Sequence, residues 1–318
     1  MDNRRPPVAK PPSMDLLLLS SLPRTRRAAL LAAAASLSWA AAHAAAPDRP
    51  GRVEVALREL ADLETAAGVR LGVAATLPES DALLLGHRAE ERFPLCSTFK
   101  LMLVAAVLAR AGQAPGAPLL ARHIDYGPGD LVTYSPVTQP HAGEGMAVAD
   151  LCAAAIQHSD NTAANLLIKL LGGPPAVTAY ARSIGDTAFR LDRWETDLNT
   201  ALPGDPRDTS TPAAMAASLR RLALGDALPA GPRARLVAWL RGNTTGGARV
   251  RAGVPADWAV GDKTGTGDHG TTNDVAVIWP PGRPPITVAV YCTQALRDAR
   301  PRDDLVAAAA RCVARALG

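Results

Sequence analysis

Three short segments hold residue types able to do covalent chemistry. Ser97-Thr98-Phe99-Lys100 sets a hydroxyl and an amine three residues apart, on one face of a predicted helix. Serine is a weak nucleophile until a neighbouring base takes its proton, and a desolvated lysine can do so. The helix N-terminus adds backbone N–H donors beside Ser97, where an oxyanion can be stabilised. Ser159-Asp160-Asn161 follows at a second predicted helix start, and Lys263-Thr264-Gly265-Thr266-Gly267 late in a predicted edge strand. Singly, each has a plain structural reading: two helix N-caps and a strand end softened by glycine. Together and in this order they are no coincidence of capping and strand ends. The chain has four lysines, Lys10, Lys100, Lys169 and Lys263, and two of them fall in these segments. A lysine kept where arginine is the habit fits a site that needs a compact ammonium with a movable pKa.

The elements that must position these residues follow from apolar periodicity. A helix is predicted over 52–67, on Val53, Ala56, Leu57, Leu60, Leu63 and Ala67, then strands over 69–76 and 82–86. A strongly apolar helix runs over 97–110, with Ser97 at its N-terminus. Further helices are predicted over 147–157, 162–171, 176–183, 211–224 and 232–241. Between them, 191–209 has no apolar period, and loops of that length inside a compact domain are functional or disordered. Strands over 258–266, 271–279 and 286–292 and a helix over 303–317 close the chain. Strands near both ends and helices between them imply an α+β fold: an antiparallel sheet assembled from both termini, with an all-helical insert on one side.

The chain's 318 residues exceed the usual size of one core, and 48% hydrophobic with 20% charged residues is ordinary for a globular protein. A net charge of +4 raises nucleic-acid binding, but the arginines are scattered and no recognition module appears. Arg24-Thr25-Arg26-Arg27, the apolar run 28–42 and the small residues around His43 read as an export leader over 1–46. Arg26-Arg27 points to the twin-arginine route and a periplasmic or secreted protein, with mature sequence beginning between Ala45 and Asp48. Met14 is an alternative start. Cys96, Cys152, Cys292 and Cys312 match no metal spacing and are expected to be free buried thiols. His43, His87, His123, His141, His158 and His269 form no ligand cluster, so neither a metal nor any other cofactor is expected. With the leader removed no membrane association is expected, and a monomer is the default.

The combined set resembles the penicillin-binding-protein and serine β-lactamase superfamily, from about residue 52 to the end. The resemblance implies the serine β-lactamase/D,D-peptidase-like fold. Its five-stranded antiparallel sheet and flanking helices would come from 47–93 and 243–318, and its all-α domain from 94–242, including an Ω-loop at 190–208. Arg193-Trp194-Glu195-Thr196-Asp197-Leu198-Asn199 looks like the class A β-lactamase Ω-loop motif, closed by a salt bridge between Arg193 and Asp208. Penicillin-binding D,D-peptidases and transpeptidases lack the Glu–Asn pair, so Glu195 separates a hydrolase from an enzyme whose acyl adduct persists. That D,D-peptidase is the alternative reading, and a non-enzymatic β-lactam sensor a further one.

Carried over residue by residue, the resemblance makes Ser97 the nucleophile, activated by Lys100, by Glu195 through water, or by both. Ser159 would pass a proton to the leaving nitrogen, with Lys263 orienting it. Backbone N–H groups of Ser97 and Thr266 would form the oxyanion hole. Glu195 with Asn199 would activate the hydrolytic water. Tyr134, Asn161, Thr264, Gly265, Thr266 and Arg249 would bind the β-lactam substrate, with Arg249 standing in for an arginine that relatives carry where this chain has Thr272. Thr196 replaces a common proline, so a cis bond there would precede a non-proline residue. Where some members pair cysteines with the positions of Cys152 and Cys96, the partner positions here hold Val104 and Gly267, so neither bridge is expected. Gly267 and Asp268 resemble members active on oxyimino-cephalosporins.

Overall fold

The computed structural model describes residues 49–79, 82–113 and 118–318. The leader, its arginine pair and the cleavage region lie outside the described residues. In chain order the elements are α1 (Arg49–Ala67), β1 (Arg70–Thr76), β2 (Leu85–His87), β3 (Phe93–Pro94) and α2 (Phe99–Gln113). There follow β4 (His123–Ile124), β5 (Met146–Ala147), α3 (Val148–Gln157), α4 (Asn161–Leu171), α5 (Pro174–Ser183), β6 (Thr209–Ser210) and α6 (Pro212–Ala223). The chain closes with α7 (Ala230–Arg241), α8 (Val250–Gly253), β7 (Ala259–Gly267), β8 (Thr271–Trp279), β9 (Ile286–Thr293) and α9 (Asp303–Leu317).

Five strands form one antiparallel sheet in the order β2-β1-β9-β8-β7, so β1 pairs directly with β9. The period-2 alternation of the inner strands β8 and β9 divides two cores. Val275, Val277, Ala289 and Tyr291 enter the core shared with α2 and its neighbours, whereas Ala276, Ile278, Val288, Val290 and Cys292 enter the core under α1 and α9. Burial on both faces explains why these strands read as near-continuous apolar runs. α9 carries Asp303 and Asp304 in its first turn, favourable at the positive end of the helix dipole, and lays Leu305, Val306, Ala309 and Val313 on the sheet.

α2 is buried nearly all round, with Leu101, Met102, Leu103, Val104 and Ala105 fully inaccessible, as expected of a helix at the centre of a bundle. Its start differs from expectation: a 3-10 turn over Cys96–Thr98 precedes the α-helix, which begins at Phe99. The stretch 191–209 contains one 3-10 turn, Asp197–Thr200, and its end is tied down by β6 pairing with β3. β7 is an outer strand of the sheet, as the sequence implies. Cys96, Cys152, Cys292 and Cys312 are free and buried. Among the described residues, no helix is long and apolar enough to cross a membrane.

Candidate active site

The 3-10 turn carrying Ser97 lies against β7 because Gly265 has no side chain. A Cβ there would stand 2.8 Å from the Leu95 carbonyl oxygen and 3.2 Å from the Thr98 nitrogen, too close for any larger residue. Asn273 on β8 fastens the same turn by donating to the carbonyls of Pro94 and Leu95. Cys96, immediately before the nucleophile, adopts φ 43°, and Tyr134 and Ser159 adopt φ 65° and 58°. Left-handed backbone in non-glycine residues costs on the order of 1–3 kcal/mol each and persists where surrounding structure over-determines it.

Lys100 Nζ is the hub. It lies 3.0 Å from Ser97 Oγ, 2.8 Å from the Ser159 carbonyl, 2.6 Å from Asn161 Oδ1 and 2.9 Å from Glu195 Oε1. The side chains of Lys100 and Glu195 are wholly inaccessible. Burial pushes the Lys100 ammonium below the usual lysine range, while the Glu195 charge pulls the other way. Burial thus favours the neutral amine that a base needs, and the carboxylate favours the ammonium. Glu195 Oε1 is also 3.5 Å from Ser97 Oγ, so one carboxylate oxygen reaches both amine and nucleophile.

Lys263 Nζ sits 3.1 Å from Ser159 Oγ and 2.9 Å from the Thr264 carbonyl. Burial first, and repulsion from Lys100 second, push it well below the ordinary lysine value. Ser159 therefore has an amine on each side, with Lys100 Nζ 3.5 Å from its hydroxyl. Asp160 caps α4 through Ala163 N–H and also accepts from Val137 N–H, Thr138 N–H and the Thr138 hydroxyl. It thereby ties the loop carrying Tyr134 to the helix carrying Asn161, and Asn161 completes the tie by donating to the carbonyls of Tyr134 and Thr133. Tyr134 itself is 57% exposed.

Glu195 is held from three sides. Asn199 Nδ2 donates to its Oε2 at 2.6 Å. Asn165 grips its backbone, accepting from Glu195 N–H at 3.0 Å and donating to its carbonyl at 2.9 Å. The Glu195–Thr196 peptide bond is cis. Arg193 Nε meets Asp208 Oδ2 at 2.6 Å, and Asp208 Oδ1 accepts the N–H groups of Asp192 and Arg193, closing the loop at its base. Asn165 carries no sequence signal: it is one polar residue on an amphipathic helix, 30 residues from the peptide that it holds.

On the far side of β7, Arg249 spends its donors inside the protein: Nε on Asp303, one terminal nitrogen on the carbonyls of Gly265 and Asn273, the other on Thr266 Oγ1 at 2.7 Å. Arginine can only donate, so the Thr266 hydroxyl accepts from it and its own hydrogen is free for another partner. Thr264 Oγ1 contacts Thr245 Oγ1 at 2.5 Å, and Thr245 in turn bonds Asn243; the sequence reading missed both residues. Every residue singled out as catalytic thus falls in one cluster about Ser97 and Lys100, with Thr264, Gly265, Thr266 and Arg249 on or beside β7 as its wall. Among the described residues, no group of three His, Cys, Asp or Glu side chains is placed to hold a metal ion.

Comparison with known proteins gives a consistent answer. Residues 53–317 match the family described as the beta-lactamase enzyme family. The chain is similar to Beta-lactamase OXY-1 of Klebsiella oxytoca, 54% identical over 260 residues, covering 82% of this chain and 88% of that protein. It is 56% identical over 259 residues to the Carbapenem-hydrolyzing beta-lactamase KPC of Klebsiella oxytoca, covering 81% and 87% respectively. It is 54% identical over 256 residues to Beta-lactamase CTX-M-25 of Escherichia coli, covering 80% and 87%. Among solved structures, a beta-lactamase from Desulfarculus baarsii superposes with a TM-score of 0.81 at 59% identity, covering 84% of this chain and 98% of that one.

Proposed function

The chain belongs to the beta-lactamase enzyme family, and from that premise we propose how its own residues divide the work of a class A serine enzyme. It hydrolyses β-lactams, penicillins and cephalosporins among them, and so confers resistance to them. The assignment that follows rests on one observation above the others: Ser97 Oγ, Lys100 Nζ and Glu195 Oε1 lie within 3.5 Å of one another in a buried cluster.

Lys100, the nearer base, takes the Ser97 proton as Oγ attacks the β-lactam carbonyl carbon. The carbonyl oxygen becomes an oxyanion, stabilised by the backbone N–H groups of Ser97 and Thr266. One such donor is typically worth about 2.7–4 kcal/mol. As the ring C–N bond breaks, Ser159 passes its proton to the leaving nitrogen and takes up the proton that Lys100 holds 3.5 Å away, with Lys263 beside it holding the hydroxyl and supplying positive potential. The ester left on Ser97 is then attacked by a water that Glu195 and Asn199 hold. Glu195 accepts its proton and returns it to Ser97 Oγ as the ester C–O bond breaks. Loss of a general base typically costs 10²–10⁴-fold. Thr264, Thr266 and, through Thr266, Arg249 hold the substrate carboxylate. Asn161 and Tyr134 face the side chain of the antibiotic, and Gly265 lets β7 lie close enough to serve both. Export through the twin-arginine leader and a monomeric state complete the reading.

The test is intact mass alongside hydrolysis of benzylpenicillin, for the mature protein and its Glu195→Ala variant. Rapid turnover by wild type and a penicilloyl adduct accumulating on the variant is the expected result. A long-lived adduct on wild type would overturn the role given to Glu195.

A further inference from the structure

A chain of hydrogen bonds with a fixed direction runs into the carboxylate-binding wall from behind. It begins at Asp262, wholly buried on β7, which lies 2.7 Å from Arg251 through Oδ1 and accepts from Asn243 Nδ2 at 2.6 Å through Oδ2. The Asn243 amide has only one orientation that satisfies its neighbours. Its NH₂ must face the carboxylate, and its Oδ1 must face Thr245 N–H, which can only donate, at 3.1 Å. Asn243 Oδ1 therefore also accepts from the Thr245 hydroxyl, at 2.9 Å. A hydroxyl has one hydrogen. Since Thr245 gives its hydrogen to Asn243, the 2.5 Å contact between Thr245 Oγ1 and Thr264 Oγ1 must be a bond donated by Thr264. The Thr264 hydrogen thus points inward, and only its lone pairs are left for anything on the substrate side.

That arrangement is the wrong way round for binding an anion, and the neighbouring Thr266 shows the contrast. Thr266 accepts from Arg249 and keeps its hydrogen free. We infer that Thr245 is a positioning residue whose hydroxyl acts as a reversible relay, reversing the Thr264 hydroxyl from an inward donor to a donor toward the substrate carboxylate. The inference rests on the reading that Thr264 binds that carboxylate. In the free enzyme the order is Thr264 to Thr245 to Asn243. With the anion in place both hydroxyls rotate: Thr264 donates to the carboxylate, Thr245 donates to Thr264, and Asn243 Oδ1 keeps the Thr245 N–H. No bond is lost in the count, and one neutral hydrogen bond is exchanged for a stronger charge-assisted one. The device needs Asn243 held against Asp262, and Gly246 permits this, since a Cβ there would stand 1.8 Å from Asp262 Oδ2.

The experiment is stopped-flow acylation of the full mature enzyme by benzylpenicillin, separating the dissociation constant of the non-covalent complex from the acylation rate. Thr245→Val keeps the shape and removes the hydroxyl. It is expected to weaken binding roughly two- to tenfold, the worth of one hydrogen bond, with a smaller change in acylation rate. Thr245→Ser is expected to restore binding to within about twofold of wild type, and it covers the case in which valine disturbs packing. In a Thr264→Val background, Thr245→Val is expected to have no further effect. Wild-type binding by Thr245→Val, or an equal loss in both backgrounds, overturns the relay. If Thr264→Val alone leaves binding unchanged, the carboxylate role of Thr264 falls and the relay with it. If Thr264→Val weakens binding and Thr245→Val does not, the relay alone falls.

Discussion

Asp160→Asn isolates what a single buried charge contributes to the frame of the site. Asp160 is fully buried and accepts four hydrogen bonds, from Val137 N–H and Thr138 N–H on Oδ2 and from Ala163 N–H and the Thr138 hydroxyl on Oδ1. An asparagine has the same shape but one acceptor oxygen. Its less costly orientation puts the NH₂ in place of Oδ1, because the Thr138 hydroxyl can turn to accept whereas two backbone N–H groups cannot. The variant then loses the Ala163 cap, about 1 kcal/mol. It also weakens two charge-assisted bonds to neutral ones, about 1 kcal/mol each. The sum, about 3 kcal/mol, corresponds to a fall in Tm of about 6–12 °C for a chain of this size. Asp160→Ala strands all four donors and must cost distinctly more. Thermal unfolding of both variants by circular dichroism is the assay, with reversibility checked by rescanning. A Tm for Asp160→Asn within about 2 °C of wild type, or equal losses for Asn and Ala, would refute this count.

Asn165→Ala removes both grips on the Glu195 peptide while leaving its carboxylate intact. Deacylation is expected to fall at least about tenfold, seen as an acyl-enzyme adduct by mass during turnover, and undiminished turnover counts against the clamp. Asp274 is wholly buried, with Oδ2 accepting from Val250 N–H and Oδ1 without a hydrogen-bond partner among the described residues. Burial, and then repulsion from Asp262, push its carboxyl well above the usual range, against the pull of Arg249 and Lys263. A raised acid pKa contributes stability that is complete below the unfolded value and lost as pH rises through the folded value. Asp274→Asn, which does not titrate, is therefore expected to gain on wild type as pH rises, and urea midpoints whose difference is the same at pH 5 and pH 8 would contradict this. Gly246→Ala drives a Cβ into the pinned Asp262 carboxylate and is expected to lower the urea midpoint by the equivalent of about 2–3 kcal/mol; an unchanged midpoint would mean that the Gly246 turn has room to move.

The sequence exposes what repeats and what has chemistry at fixed spacing. The bounds predicted for the strand over 271–279 and the helix over 303–317 are those observed, because strong apolar patterns end at Pro and Gly. Ser97 with Lys100, Ser159 with Asn161, and Lys263 with Thr266 are legible as local pairs on one turn or strand. The contacts that tune them are not. Asn165 grips a peptide on another loop, and Asn243 and Thr245 act across a turn onto β7, so neither leaves a period or a spacing. The two-residue strands β3 and β6 are too short to carry alternation and exist only as each other's partners. The 3-10 start before α2 is likewise imposed from outside, by β7 and Asn273 pressing on the turn.

The pairing of β1 with β9 also fixes when the enzyme can come into being. The nucleophile, the Ser159 turn and the Glu195 loop are all synthesised before β7, and β1, which has β2 on one side from early on, waits for the last strand described, β9, to fill its other side. A growing or interrupted chain that stops short of β7 holds Ser97 but has no Lys263, no Thr266 and no wall for the turn to press upon. Reactivity therefore arrives in one step, late, when the most distant segments close on each other. Such long-range closure is slow compared with helix formation, so the helical body can be assembled while the molecule is still inert toward the compounds it will later destroy.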